Sequence, residues 1–502
     1  MPLPRNFTPL VVALGVAAAW APGMSEAAPP IPHTETATVF RARSGEVVAA
    51  FQGTVVVPER RGRRSRTLEL HYVRFPSTSA EPGPPVVYLA GGPGGSGVAT
   101  ARGRRLPLFM AMREFGDVIA LDQRGTGRST KAPGCPIAYP PPHLSSRKAA
   151  VQLRAAVREC GVFWREQGFD PRGFTTVESA RDLDDLRVQL GAEKLVLWGI
   201  SYGTHLALAA VKTLGPSPVD RMILASAEGL GQTVKRPART DAYFGRLQTA
   251  IDAQPAARAI YPDVAALMRR VHARLAEEPV SVESPGGARF LLTREVMRTL
   301  ASASIADPAG ATRGLSLYLA VEAGKTAPVG AVLARYAPYL WPTELALMPT
   351  AMDIASGIDG QRLRQVRREA KTALLGDVLN APMPQLRGTL GVELGAAYRA
   401  PPRSDVPTLL LSGTLDGRTY PESQQEAVRG LSKVTTVTVV NGGHNLFMVS
   451  PEVTATILRF MRGELTSDLE IRVPAPSFVP AFSRRPIGVG QSPKAGKKHL
   501  LE

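Results

Sequence analysis

Cysteine is scarce in this chain, with two residues in 502. That excludes a disulfide-rich scaffold and a zinc site built from four thiolates. Long apolar runs are also missing. Beyond the first 27 residues no stretch reaches the roughly 18 apolar residues that a membrane-spanning helix needs. Extremes of polarity are absent: 44% of residues are hydrophobic and 21% charged, close to globular averages, which excludes wholesale disorder. There is no internal repeat, no metal-ligand cluster, and no glycine loop followed by a phosphate-binding lysine. No cofactor is called for, and oligomeric state leaves no mark on the sequence.

The chain does carry an excess of positive charge, 60 Lys+Arg against 43 Asp+Glu, a formal +17. Such an excess suits nucleic acid, an anionic membrane surface, or solubility alone. It is scattered over Arg60–Arg66, the stretch from Arg362 to Lys371, and a tail from Arg484 to Lys498. The first cluster lacks interleaved aromatics and the second reads as a solvated helix face, so a nucleic-acid partner is not expected.

The N-terminus reads as an address. Arg5 precedes an apolar stretch from Phe7 to Trp20, and Ser25-Glu26-Ala27 supplies small residues for cleavage after Ala27. This reads as a Sec-type signal without a twin-arginine pair, the apolar run being short for a bilayer span; an uncleaved anchor is the alternative. The expected location is secreted or periplasmic, with no stable membrane insertion after cleavage. Export permits a disulfide between Cys135 and Cys160, the alternative being two unpaired buried thiols. Such a loop would stabilise by about 3 kcal/mol in the chain-entropy model.

Strand and helix signals then divide the chain. Residues 53–58 and 67–75 alternate with period 2 and read as an antiparallel pair. Val86–Ala90, Val118–Leu121, Leu195–Trp198, Met222–Ala225, Thr408–Leu411 and Val434–Val440 are continuous apolar or β-branched runs, separated by helical stretches. That pattern predicts a mostly parallel sheet covered by helices on both faces. The expected organisation is a signal at 1–27, a first core segment at 28–228, a helical cap at 229–400, a second core segment at 401–465, and a partly disordered tail at 466–502.

The motif with the most chemistry is Gly199-Ile-Ser201-Tyr-Gly203, set between a strand and a helical run. G-x-S-x-G in that context is a nucleophile elbow, with Ser201 as nucleophile and the Tyr202 backbone N–H aimed at a developing oxyanion. A serine hydroxyl needs a base to take its proton. His444, in a glycine-lined loop after the last predicted strand, is late enough in the chain; His499 lies in the tail. Asp416, at the end of the penultimate strand, would hold the imidazole in its working tautomer. The loop Gly91-Gly-Pro-Gly-Gly95 offers a second oxyanion donor, Gly92 N–H before Gly91. The same loop contains Gly92-x-Gly94-x-x-Gly97, formally a dinucleotide fingerprint with Asp117 or Asp122 as ribose ligand. That reading leaves the elbow, Asp416 and His444 unexplained.

Together Gly91–Gly95, Asp122-Gln-Arg-Gly-Thr-Gly-Arg-Ser129, Gly199–Gly203, Gly413-Thr-Leu-Asp-Gly417 and Gly442-Gly-His444 resemble the proline iminopeptidase and tripeptidyl aminopeptidase family of α/β hydrolases. The resemblance covers roughly residues 80–230 and 400–465. It implies an α/β-hydrolase fold, a Ser201–Asp416–His444 triad, and a cysteine pair of the kind secreted members carry. The chain departs from the pattern at Ala90, where iminopeptidases usually have histidine, at His205, and at Ala225–Gly229.

The expected function is an exported serine aminopeptidase acting on small peptides, with Glu228 and Glu344 as candidates to bind the free amine. A carboxylic-ester hydrolase using the same triad is the alternative, and a basic, non-catalytic binding protein is the third reading. Serine at the elbow argues against epoxide hydrolases and dehalogenases, which need aspartate there.

Overall fold

A computed structural model describes residues 35–140 and 146–480. The signal read at 1–27 and the basic run from Arg484 to Lys498, with His499, lie outside the described residues. Ten strands form the main sheet: β1 (Thr36–Arg41), β2 (Val47–Pro58), β3 (Thr67–Phe75), β4 (Val86–Leu89), β5 (Val118–Leu121), β6 (Leu195–Ile200), β7 (Val219–Ala225), β8 (Thr408–Gly413), β9 (Val434–Val440) and β10 (Leu469–Arg472). Their order across the sheet is β1-β2-β3-β5-β4-β6-β7-β8-β9-β10. The first three run antiparallel, β3 pairs antiparallel with β5, and every later pairing is parallel.

The apolar runs become strands because both of their faces are covered. Val86, Tyr88, Val196, Trp198, Leu409 and Leu411 feed one core, whereas Val87, Leu89, Leu195, Leu197 and Leu410 feed the other. Alternation of side chains along a strand produces this division without any polar residue between. The expected antiparallel pair is extended by β1, whose mostly exposed residues mark it as an edge strand. The opposite edge is β10, which falls inside the segment read as a loose tail. It pairs with β9 from Val437–Leu469 to Val440–Arg472 and buries Ile471.

The segment between β7 and β8 divides its allegiance. Tyr243, Leu247, Met268, Leu300, Leu315 and Tyr318 build a separate helical core, with a small hairpin formed by Val280–Glu283 and Arg289–Leu292. The helix Leu347–Ser356 joins the sheet's own core instead, together with Leu386, Leu390 and Tyr398. Eight of its ten residues are buried, so it is apolar on nearly all sides and cannot serve as a surface lid. Cys135 and Cys160 form a disulfide, with Cα atoms 5.6 Å apart. It links a short strand, Cys135–Pro136, to the helix Ser146–Glu166.

Chain order reverses around β4: the strand that follows it, β5, lies on one side and β6 on the other. Open α/β sheets bind ligands outside the carboxyl ends of strands at such a switch point. Gly91–Gly95 follows β4 there, and Ser201 follows β6.

Candidate active site

Ser201 occupies a turn that few residues tolerate, with φ 54° and ψ −125°. The tight turn is possible because glycines stand two residues away on either side. A Cβ on Gly203 would lie 2.0 Å from the Leu89 carbonyl oxygen, and one on Gly199 would lie 2.6 Å from the Gly203 carbonyl carbon. Glycine at both places lets β6 turn directly into the helix Tyr202–Leu214. Tyr202 is the first residue of that helix, so its backbone N–H belongs to the turn without intrahelical acceptors. Its ring points elsewhere: the hydroxyl contacts Met352 sulfur and lies 3.3 Å from Thr176 Oγ1.

Asp416 and His444 approach from the ends of β8 and β9. His444 Nδ1 lies 3.1 Å from both Asp416 carboxylate oxygens. An ionised carboxylate can only accept, so Nδ1 carries the proton and Nε2 is left with its lone pair. Asp416 is fully buried and takes further hydrogen bonds from Arg418 N (2.8 Å), Thr419 N (2.9 Å) and Thr419 Oγ1 (2.7 Å). Burial alone would raise its pKa. His444 and the Thr419 donors outweigh that and hold it below the ordinary carboxylate value.

The histidine loop has a second support that the sequence does not announce. His444 N donates to Ala306 O at 2.7 Å; Asn445 N and Nδ2 donate to the two Asp307 carboxylate oxygens at 3.1 and 2.9 Å. A Cβ on Gly443 would lie 2.5 Å from Asp307 Oδ1, so the close approach requires glycine. Asp307 is thus a positioning residue contributed by the insertion, acting through Asn445 on the loop that holds His444. Asp307→Ala is expected to lower kcat by about 10- to 100-fold, the scale of a small misplacement of reacting groups. KM and the melting temperature should change little, and Asp307→Asn should recover part of the rate. Steady-state kinetics beside thermal melts separate this from general destabilisation.

Ser201, Gly91, Gly92, Gly95 and His444 line one cavity of about 1110 Å³. Gly92 has φ +126°, a conformation that favours glycine, within the loop that follows β4. The loop is tied down by Asp122, whose Oδ1 accepts from Ser96 Oγ at 2.5 Å and Val98 N at 3.2 Å, and whose Oδ2 accepts from Arg128 N at 2.9 Å. Asp117 accepts from Arg74 at 2.9 Å and from Ser77 N at 2.7 Å. Both acids that could have read a ribose are therefore engaged within the protein. Arg60, Arg61 and Arg66 are engaged as well. Arg61 bridges Glu178 (2.8 Å) and Asp182 (2.9 Å), Arg60 lies 3.5 Å from Asp170, and Arg66 stacks 4.1 Å over the Phe169 ring.

The two glutamates considered for amine binding lie off this cavity wall. Glu228 is paired with Lys235 in the protein interior, and Glu344 is exposed on a two-residue strand against Cys135–Pro136. Beside Glu228 sits Asp353, whose pKa burial and the Glu228 charge push up to about 7. A carboxyl with a raised folded pKa keeps its proton longer in the folded state. Its stabilising effect is full below the unfolded value near 4 and is lost as pH rises toward 7. Asp353→Asn removes that slope. The variant's melting temperature minus that of wild type should therefore increase from about pH 5 to about pH 8; a flat difference would contradict the assignment.

Among the described residues, no group of three or more His, Cys, Asp or Glu is placed to hold a metal ion, and no helix is long and apolar enough to cross a membrane. The chemistry the cavity can support is acyl transfer: a strained serine, a histidine oriented by a buried carboxylate, and a glycine-lined loop beside them.

A family model described as alpha/beta hydrolase fold matches residues 84–451. The tripeptidyl aminopeptidase of Streptomyces lividans is 36% identical over 152 residues, 28% of this chain and 28% of that protein. Serine protease Hip1 of Mycobacterium tuberculosis is 31% identical over 167 residues, 32% of each. The chain spans less than a third of the length of these curated relatives. Among solved structures, a proline iminopeptidase-related protein from Thermus thermophilus is 19% identical, covering 83% of this chain and 98% of that one at a TM-score of 0.37.

Proposed function

The chain belongs to the α/β-hydrolase fold family, and from that premise we propose that it is an exported serine aminopeptidase. The observation that carries the serine mechanism is the contact of His444 Nδ1 with the buried Asp416 at 3.1 Å, on a cavity shared with Ser201. The names of the partial relatives, an aminopeptidase and a serine protease, support peptide rather than ester as substrate. The Cys135–Cys160 disulfide and the N-terminal sequence pattern support export.

In this reading His444 Nε2 removes the Ser201 proton as Oγ attacks the scissile carbonyl. Asp416 keeps the ring oriented and stabilises the imidazolium that forms. Backbone N–H groups of Tyr202 and Gly92 receive the oxyanion. His444 returns the proton to the leaving amine, and water then cleaves the acyl-Ser201 ester by the same exchange in reverse order. Neither Glu228 nor Glu344 has a part in this scheme.

A fluorogenic panel tests the peptide assignment. Free-amine aminoacyl and tripeptidyl arylamides should be cleaved, and N-blocked versions of the same peptides should not. Fast turnover of short arylesters with no release from any arylamide would overturn the aminopeptidase reading and leave an esterase.

A further inference from the structure

The cavity that holds Ser201 and His444 has a charge pattern that the acyl-transfer chemistry does not need. Arg43, Arg104, Arg105 and Arg418 all line it, and Asp307 is its one acidic lining residue. Asp307 already accepts both Asn445 donors. Among the described residues, none of the four guanidinium groups has a carboxylate within 4.0 Å, although arginines elsewhere in the chain are widely paired. An unpaired positive wall around a reacting centre draws anions and raises their local concentration.

Two of these arginines are held in place. Arg105 lies 5.4 Å from the Phe447 ring centroid and 5.8 Å from that of Tyr88; its guanidinium contacts the Tyr88 hydroxyl and lies 3.2 Å from Asn445 Oδ1. Those contacts leave some of its five N–H donors free while fixing the plane of the group. Arg418 stands two residues after Asp416; its backbone N–H binds that carboxylate and its Nη1 lies 3.4 Å from Ser302 O. Arg43 and Arg104 are exposed on the same cavity. Fixed guanidinium groups favour planar oxyanions, to which they can offer paired N–H donors.

We propose that the substrate carries a carboxylate, which the arginine wall formed by Arg43, Arg104, Arg105 and Arg418 recognises beside the scissile bond. This inference rests on the hydrolase reading and deepens it. For an exopeptidase the carboxylate is the free C-terminus of a short peptide or an acidic side chain near the cleaved bond.

Three free-amine peptides of equal length separate these sources: one with a C-terminal carboxylate and neutral side chains, one amidated and neutral, and one amidated with a glutamate. At low salt, kcat/KM for at least one carboxylate peptide should exceed that of the neutral amide by about tenfold or more. The advantage of the first over the second identifies the C-terminus, and that of the third over the second identifies the side chain. The ratio should shrink toward one in about 0.5 M salt, where screening is strong. Arg105→Gln should reduce it. Because Arg105 also touches Asn445, the exposed pair Arg43→Gln with Arg104→Gln provides a second test on a surface that the fold does not depend on. Equal kcat/KM for all three peptides, unmoved by salt and by either variant, overturns the inference while leaving the aminopeptidase intact. Should no peptide be cleaved but arylesters be hydrolysed, the aminopeptidase reading fails instead. A succinate hemiester against the matching acetate then decides the anion preference by the same ratio.

Discussion

Ser201→Ala is expected to lower kcat/KM by about a million-fold on every substrate the wild type turns over, because removing a triad nucleophile costs about as much as removing the whole triad. The substitution deletes one oxygen from a half-buried position and should leave the melting temperature nearly unchanged. The turn at Ser201 is made possible by the close approach that Gly199 and Gly203 allow, and the hydroxyl has no part in that packing, so the elbow should persist in the variant. Residual activity above the uncatalysed rate would come from the oxyanion donors and substrate binding alone. Full activity toward peptides and esters with alanine in place would refute the mechanism.

Asp416→Asn has the second-largest expected effect, a fall in kcat of about ten-thousand-fold. The wild-type carboxylate receives donors from four residues: His444 Nδ1–H, the backbone N–H groups of Arg418 and Thr419, the Thr419 hydroxyl, and Gln424 Nε2 at 3.3 Å. An amide offers one oxygen where two are used. If the oxygen stays with Arg418 N and Thr419 N, the amide N–H₂ faces His444 and forces the ring into the tautomer whose Nε2 carries the proton. That ring cannot accept from Ser201. Asp416 is fully buried, so the side chain cannot relieve the change by turning out to solvent. The loss should appear in kcat at substrate saturation, with a modest drop in melting temperature from the repulsion among donors. A variant with near-normal kcat would show that Asp416 does not orient the histidine.

The parts of this architecture that were legible share a local signature. β4, β5 and β6 are apolar at every residue or nearly so, β8 carries the run Leu409–Leu411, and all end at glycine or polar turns, so their existence and their parallel arrangement could be read directly. Ser201, Asp416 and His444 stand just beyond strand ends in the Ser…Asp…His order that the fold uses, which made them candidates before any geometry.

What was not legible depends on distant partners. Asp307 lies 138 residues from Asn445, and nothing around Asp307-Pro308 marks it as more than a helix start. Glu228 looked available at the entrance to the insertion, yet Lys235, seven residues on, claims its carboxylate. β10 was hidden because Leu469-Glu-Ile-Arg472 is short, charged at alternate positions, and sits in a segment otherwise rich in proline and serine. The helix Leu347–Ser356 shared the helical pattern of the insertion around it. Only the near-complete burial of its surface assigns it to the sheet. The arginines of the cavity come from three separated places in the chain, and although Arg102-Gly-Arg-Arg105 is a basic cluster, nothing local joins it to Arg43 or Arg418.

Activation of Ser201 by His444 is tested by mass-spectrometric mapping of a fluorophosphonate adduct on the intact enzyme. The probe reacts with a serine only when a neighbouring base removes its proton. One adduct per chain is expected, located on the peptide containing Ser201, with labelling slowed by orders of magnitude in His444→Ala. Modification at another serine, or equal labelling of Ser201 without His444, would contradict it.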